Sequence, residues 1–231
     1  MTANAKQKVD GQKARSQATQ AALMEAAEKL IAKDGLQAIS IKAIMREAGQ
    51  KNESALQYHF RNLKGLISAI HKKRSAEIHN KRGELLNELL AGSTKPDVSD
   101  LCRIMVMPAC QLAQEDPKFR RYVAGFGHQV ALAQNSAFDV IRRSGGGGES
   151  GARTGELLRQ TLPHLDDDAF RQRMDLAARL CASSMSHQAT QKNAFKGKAA
   201  DLFISHLVDA LEGLLTAPVS EKTKKFGDSL L

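Results

Sequence analysis

Between Gln50 and His59 the chain sets Gln50, Lys51, Asn52, Ser54, Gln57, Tyr58 and His59 around two residues that can turn inward, Ala55 and Leu56. Amides pair bidentately with adenine, hydroxyls read several base edges, and lysine, tyrosine and histidine donate to phosphate oxygens. That is the chemistry of recognition and not of bond breaking. Catalytic constellations are missing: the sequence holds no HExxH, no Walker loop and no GxSxG. Its seven histidines, His59, His71, His79, His128, His164, His187 and His206, are scattered. His71 and His79 lie too far apart on one helix for the i, i+4 spacing of two ligands to one metal. No enzyme, cofactor or metal is expected. Cys102, Cys110 and Cys181 form an odd set without CxxC spacing, which suits buried thiols better than a zinc site or a disulfide framework. Cys102 and Cys110 are also too widely spaced along one helix to bridge without unwinding it. Gly146, Gly148 and Gly151 satisfy GxGxxG, but no strand pattern precedes them to support a phosphate cradle.

The polar cluster needs elements that aim it at a groove, and the flanking residues supply them. Ser40 precedes Ile41, Ile44, Met45 and Ala48, an apolar set on one helix face, and suits an N-cap. Gly49 then accepts the left-handed conformation that closes a helix. Beyond it Asn52 or Ser54 can cap a second helix with Ala55 and Leu56 inward, and Lys64 opens a third. This is helix-turn-helix punctuation, in which the second helix enters the major groove. Ahead of it Leu23, Ala26, Ala27, Leu30 and Ile31 recur at helical spacing until Gly35 stops them.

The order of these elements resembles the TetR family of bacterial transcriptional regulators, through Gly35, Ser40, Ile41, Ile44, Ala48, Gly49, Ala55, Leu56, His59, Phe60 and Leu66. This chain departs from the commonest family pattern. It has one residue more between Gly49 and Ala55, Gln50 in place of an apolar residue, and Gln57 at the usual tyrosine position, with the tyrosine at Tyr58. Leu63 stands where the family usually places a phosphate-binding lysine, and Lys64 follows it. The resemblance implies an all-α fold, with a three-helix DNA-binding head joined by a long helix to a C-terminal helical domain for ligand binding and dimerisation.

Charge agrees without using the resemblance. Through Arg82 there are 16 Lys and Arg against 7 Asp and Glu, and from Gly83 onward 18 against 18, so the whole net charge of +9 sits on the N-terminal part. A basic end attracts a polyanion through counterion release. Lys6, Lys8, Lys13 and Arg15 lie on a polar leader, expected to stay flexible until it meets DNA, although such runs also serve as solubilising surface. A chain of 231 residues with 42% hydrophobic residues can bury a sizeable core. No apolar run reaches the roughly 18 residues a membrane span needs, and MTANAKQKVDG lacks the apolar centre of a signal peptide. A cytoplasmic protein is expected, with no membrane partner.

The remainder reads as helices. A long one starts at Leu63, Leu66, Ile67 and Ile70, and the glycine and proline of AGSTKPD, Ala91 to Asp97, end it. Pro108 is expected to kink the next helix. Cys102, Met105, Phe119, Tyr122 and Phe126 around that kink suit either an ordinary core or, as the resemblance implies, the wall of a pocket for a small apolar ligand. The segment 143–153 is expected to be a flexible loop. Two helices close the chain. Met174, Ala178, Cys181 and Met185 line a small-residue face of the first; Phe203, Leu207, Leu211 and Leu214 lie along the second. They suit an intramolecular core. They also suit an intermolecular four-helix bundle, because one head offers little contact and two on a twofold axis read a palindrome. LVDALEGLLTAPVS also resembles many TetR-family C-termini.

The expected organisation is a leader at 1–15, a helix-turn-helix domain at 16–62, a ligand-binding and dimerisation domain at 63–219, and a tail at 220–231. The expected function is a homodimeric transcriptional repressor on a palindromic double-stranded DNA operator, released by a small ligand. Two alternatives stay open: a ligand-independent DNA-binding protein, and a helical enzyme or carrier whose basic end is incidental.

Overall fold

A computed structural model describes the backbone of residues 3–52, 54–92, 95–131, 134, 136–137 and 147–228. Among these residues there is no strand. The α-helices are α1 (Ala3–Asp34), α2 (Ile41–Glu47), α3 (Ser54–Phe60), α4 (Leu63–Leu90), α5 (Val98–Glu115), α6 (Pro117–Ala131), α7 (Gly148–Thr161), α8 (Asp167–Thr190), α9 (Gly197–Thr216) and α10 (Glu221–Asp228). The chain divides into two compact units, Met1–Lys73 and Arg74–Leu231.

In the first unit Leu23, Ala26, Ala27 and Ile31 of α1 are buried with Ile44 and Met45 of α2, Leu56 and Phe60 of α3, and Leu66 and Ile70 of α4. Alanines at the centre of the α1 face let α2 and α3 approach closely. The turn between α3 and α4 is tighter still. Arg61 takes a left-handed φ of 67°, and the Asn62 side chain caps α4 by accepting from the Gly65 N–H at 2.9 Å. A Cβ on Gly65 would stand 1.9 Å from the Phe60 carbonyl oxygen, so only glycine fits this return of the chain.

The second unit is built on α5, α6, α8 and α9, with α7 against α5. Asp97 and Asp100 form a reciprocal capping box at the start of α5, and Asp166 caps α8 by accepting from the Ala169 N–H at 2.8 Å. Helices α6 and α8 pack most extensively and run antiparallel. The Arg120 side chain donates to the Ala189 carbonyl, Ser186 to the Ala124 carbonyl, and Arg179 to the Ala131 carbonyl. At the centre of that contact a Cβ on Gly127 would lie 2.6 Å from the Ala182 carbonyl oxygen, so glycine sets the close approach. Arg74 is buried; it donates to Glu77 at 2.8 Å and Asp116 at 3.4 Å, and its guanidinium lies 5.5 Å from the centre of the Phe119 ring.

Some segments differ from expectation. α1 begins at Ala3, so the expected leader is helical from there; its Ala, Lys, Gln and Arg residues are good helix formers. α7 begins at Gly148, which makes 148–153 helical, and Glu149 in its first turn favours that start. The rest of the expected loop up to Gly146 lies outside the described residues. The expected tail carries α10. α5 continues through Pro108, whose ring removes only one helical hydrogen bond while its neighbours Val106 and Cys110 stay locked in the core.

Candidate nucleic-acid interface

The surface of α2 and α3 follows from how the two helices are ended. Ser40 caps α2 by accepting from the Ala43 N–H at 3.2 Å. At the other end the Gly49 N–H bonds to the Arg46 carbonyl and the Gln50 N–H to the Met45 carbonyl at 2.9 Å, with Gly49 at φ 65°. This is a Schellman closure, which satisfies the last carbonyls of α2 and reverses the chain. Asn52 then starts α3, its side chain accepting from the Ser54 N–H at 2.9 Å. Of the two caps the sequence offers, Asn52 performs the task.

With Leu56 fully buried, the helical period turns Ser54, Gln57 and Tyr58 outward, and Tyr58 is 82% exposed. Lys51, Asn52 and Lys64 are exposed beside them, Gln50 and Ala55 are half-buried, and Arg15 is exposed on α1. His59 differs in role. It is half-buried, and its Nδ1 shares a hydrogen bond with the Gln20 amide of α1 at 3.1 Å, so it holds α3 onto α1. Sequence reasoning missed Gln20 for that reason: the partner lies 39 residues away. It also missed Arg61, exposed at the end of α3, because no local signal announces a left-handed arginine.

An ion pair between Lys29 and Glu47 ties α1 to α2. The hydrogen bond from Lys29 and its charge hold the Glu47 carboxyl below its ordinary value. A cleft of about 240 Å³ opens there, lined by Ala22, Glu25, Ala26, Lys29, Glu47 and Ala48.

The residues expected around an apolar ligand are packed together. Cys102, Phe119 and Phe126 are buried, Met105 and Tyr122 half-buried, and the Tyr122 ring lies 5.8 Å from Phe119 and 5.0 Å from Phe126. Burial pushes the thiols of Cys102, Cys110 and Cys181 up to about 12, so they are neutral at physiological pH.

The residues expected at a dimer interface lie mostly inside one protomer. Met174, Ala178, Met185, Leu207 and Leu211 are buried, and Cys181, Phe203 and Leu214 half-buried. The small-residue face of α8 is taken up by α6. What α8 and α9 leave outward includes Leu176, 52% exposed, and Leu202, 59% exposed, with Ser183, His206, Ala210 and Gly213 also exposed. Among the described residues no helix is long and apolar enough to cross a membrane.

No family model matches the chain, and no curated protein matches its sequence. Solved structures do. A protein described as a TetR-family transcriptional regulator, from a Rhodococcus species, matches with a TM-score of 0.55 at 14% identity, covering 86% of this chain and 99% of that one. A transcriptional regulator from Streptomyces coelicolor matches at 0.47 and 16% identity, covering 86% and 99%. The TetR family repressor AlkX from a Dietzia strain matches at 0.42 and 14% identity, covering 85% and 94%. The Rhodococcus match spans both units, and on it the chain has the all-helical fold of the TetR-family transcriptional regulators.

Proposed function

We propose that the protein is a homodimeric transcriptional regulator that reads a palindromic DNA operator through α3, acts as a repressor and is released by a small molecule. The observation that carries this is the outward face of α3: Ser54, Gln57 and Tyr58 stand exposed on a helix whose opposite side is anchored by buried Leu56 and Phe60. Gln57 and Ser54 are of the types that read base edges. Lys51, Lys64, Tyr58 and Arg61 are of the types that bind phosphate. Arg15 can add a contact from α1, and the net charge of the chain favours a polyanion.

Two copies pair through the outward faces of α8 and α9. Leu176 and Leu202 mark the two ends of that face, and exposed Ala210 and Gly213 permit a second helix to come close. Pairing gives two reading helices on a twofold axis, as half-sites one helical turn apart require. An effector enters beside Met105 and Tyr122, the partly exposed members of the aromatic cluster. If it binds better to the dimer whose heads are wrongly spaced, it must weaken DNA binding in equal measure. Near-complete release needs a differential affinity of about 5 kcal/mol.

The test is selection of genomic fragments by the purified protein at about 150 mM salt, where non-specific binding is already much weakened. Recovery of an inverted repeat is expected. Recovery without sequence preference would reduce the head to a generic polyanion binder. The close packing of Phe119, Tyr122 and Phe126 favours a second version, a regulator that needs no small molecule; it predicts no saturable thermal shift with any metabolite.

A further inference from the structure

Three sulfur-bearing side chains converge inside the unit Arg74–Leu231. Cys110 of α5 and Met185 of α8 hold their sulfurs 3.5 Å apart, and both residues are buried. Cys181 precedes Met185 by one turn on the same face of α8. It is close enough to Cys110 and to Arg82 for each to feel its charge. An ordinary core also groups soft side chains, but it does not set a desolvated guanidinium beside them. Arg82 is such a group, lowered from its ordinary value by burial, with Cys181 as its charge neighbour and the Gly147 carbonyl as one acceptor at 3.2 Å.

Among the described residues no three His, Cys, Asp or Glu side chains lie close enough together to share an ion. Zinc, calcium and magnesium, which need such sets, are therefore not served. Thiolate and thioether ligands instead select soft ions such as Cu(I). The spacing fits: two sulfurs about 2.3 Å from one ion and 3.5 Å apart subtend roughly 100° at it.

We infer that Cys110, Cys181 and Met185 form a binding site for a soft monovalent cation of the Cu(I) type, with Arg82 as its counter-charge. Binding breaks two S–H bonds and forms two metal–thiolate bonds; both protons leave to the solvent, Met185 lends a lone pair, and no electron changes hands. The resulting centre carries one negative charge, which the guanidinium offsets. The ion would join α5 to α8 whether or not the head binds DNA, so this site stands apart from the proposed operator reading.

The experiment is anaerobic transfer of Cu(I) from its bicinchoninate complex to the full-length protein. Wild type is expected to withdraw one ion per chain, and the double variant Cys110→Ser, Cys181→Ser none. Met185→Leu, a volume-conserving change that should melt like wild type, should bind about tenfold more weakly or worse. X-ray absorption should show a first shell of sulfur alone. Copper left with the chelator, equal uptake by the double variant, unchanged affinity in Met185→Leu, or nitrogen or oxygen in the first shell would each overturn the site.

Discussion

Gly65→Ala should destabilise the first unit, although alanine is the better helix former. In an uncrowded helix interior the change gains about 0.5–1 kcal/mol. At Gly65 the new Cβ would stand 1.9 Å from the Phe60 carbonyl oxygen and 3.1 Å from its carbonyl carbon. Both atoms are backbone, so no rotamer change relieves them, and the turn must open by about 1 Å to reach ordinary contact. Overpacking of this kind costs about 1–3 kcal/mol. Opening the turn also pulls the Gly65 N–H from the Asn62 cap, worth about 1 kcal/mol. After the propensity gain, a net loss of about 2–3 kcal/mol remains, which for a unit of this size lowers Tm by on the order of 10 °C. Gly155→Ala, inside α7 with nothing within 4 Å of the added Cβ, is the matched control and should gain about 0.5–1 kcal/mol. Thermal and urea unfolding of both variants read the contrast. A Gly65→Ala protein as stable as wild type would refute the close approach of α3 and α4.

Gln57→Ala should relax operator preference by about 1–3 kcal/mol at one base position, whereas Lys51→Ala should weaken matched and mismatched DNA alike; competition binding on paired sites separates them, and identical losses would remove Gln57 from the reading face. Leu202→Glu should convert the dimer to monomer in sedimentation while shifting Tm little, because the side chain is exposed within the protomer. At Asp116 burial raises the carboxyl pKa, but the N–H groups of Lys118 and Phe119 and the Arg74 charge outweigh it, so the group is lowered from its ordinary 3.8. A lowered carboxyl stabilises above its unfolded pKa and loses that contribution as pH falls through the folded value. Asp116→Asn should therefore flatten the stability curve below about pH 4, by a few tenths of a kcal/mol after solvent screening; an unchanged acid limb would deny the Arg74 contact.

The head was legible because its signals are local. Ser40, Gly49 and the spacing of Ile44 and Met45 each act within a turn of their own position, and α2 and α3 stand as those residues require. The solvated side of α3 could be read by the same logic, since burying Leu56 leaves Gln57 and Tyr58 nowhere else to go. What escaped the sequence was long-range or depended on a departure from the usual rule. His59 has the chemistry of a phosphate donor, yet Gln20 claims it from another helix. Arg61 occupies a conformation that residue type alone assigns to glycine or asparagine. Pro108 predicts a kink from its own chemistry, whereas the continuity of α5 depends on the core packed around it.

Small residues on a helix promise a close neighbour without saying whose. On α8 the stripe through Ala178 and Cys181 suited a partner subunit as well as the same chain, because helical spacing describes a face and not its occupant. Gly127 decides the matter for α6: its missing Cβ admits the Ala182 carbonyl, so one small-residue side of α8 is filled from within. Met174, Met185, Leu207 and Leu211 then complete the interior of the protomer. Any second copy must use the residues that interior leaves over. Those are a mixed set, two leucines separated by Ser183, His206, Ala210 and Gly213, with less apolar surface than the inward faces. A charge introduced at Leu202 or Leu176 therefore tests association almost cleanly, whereas a change at Leu211 would report on folding first.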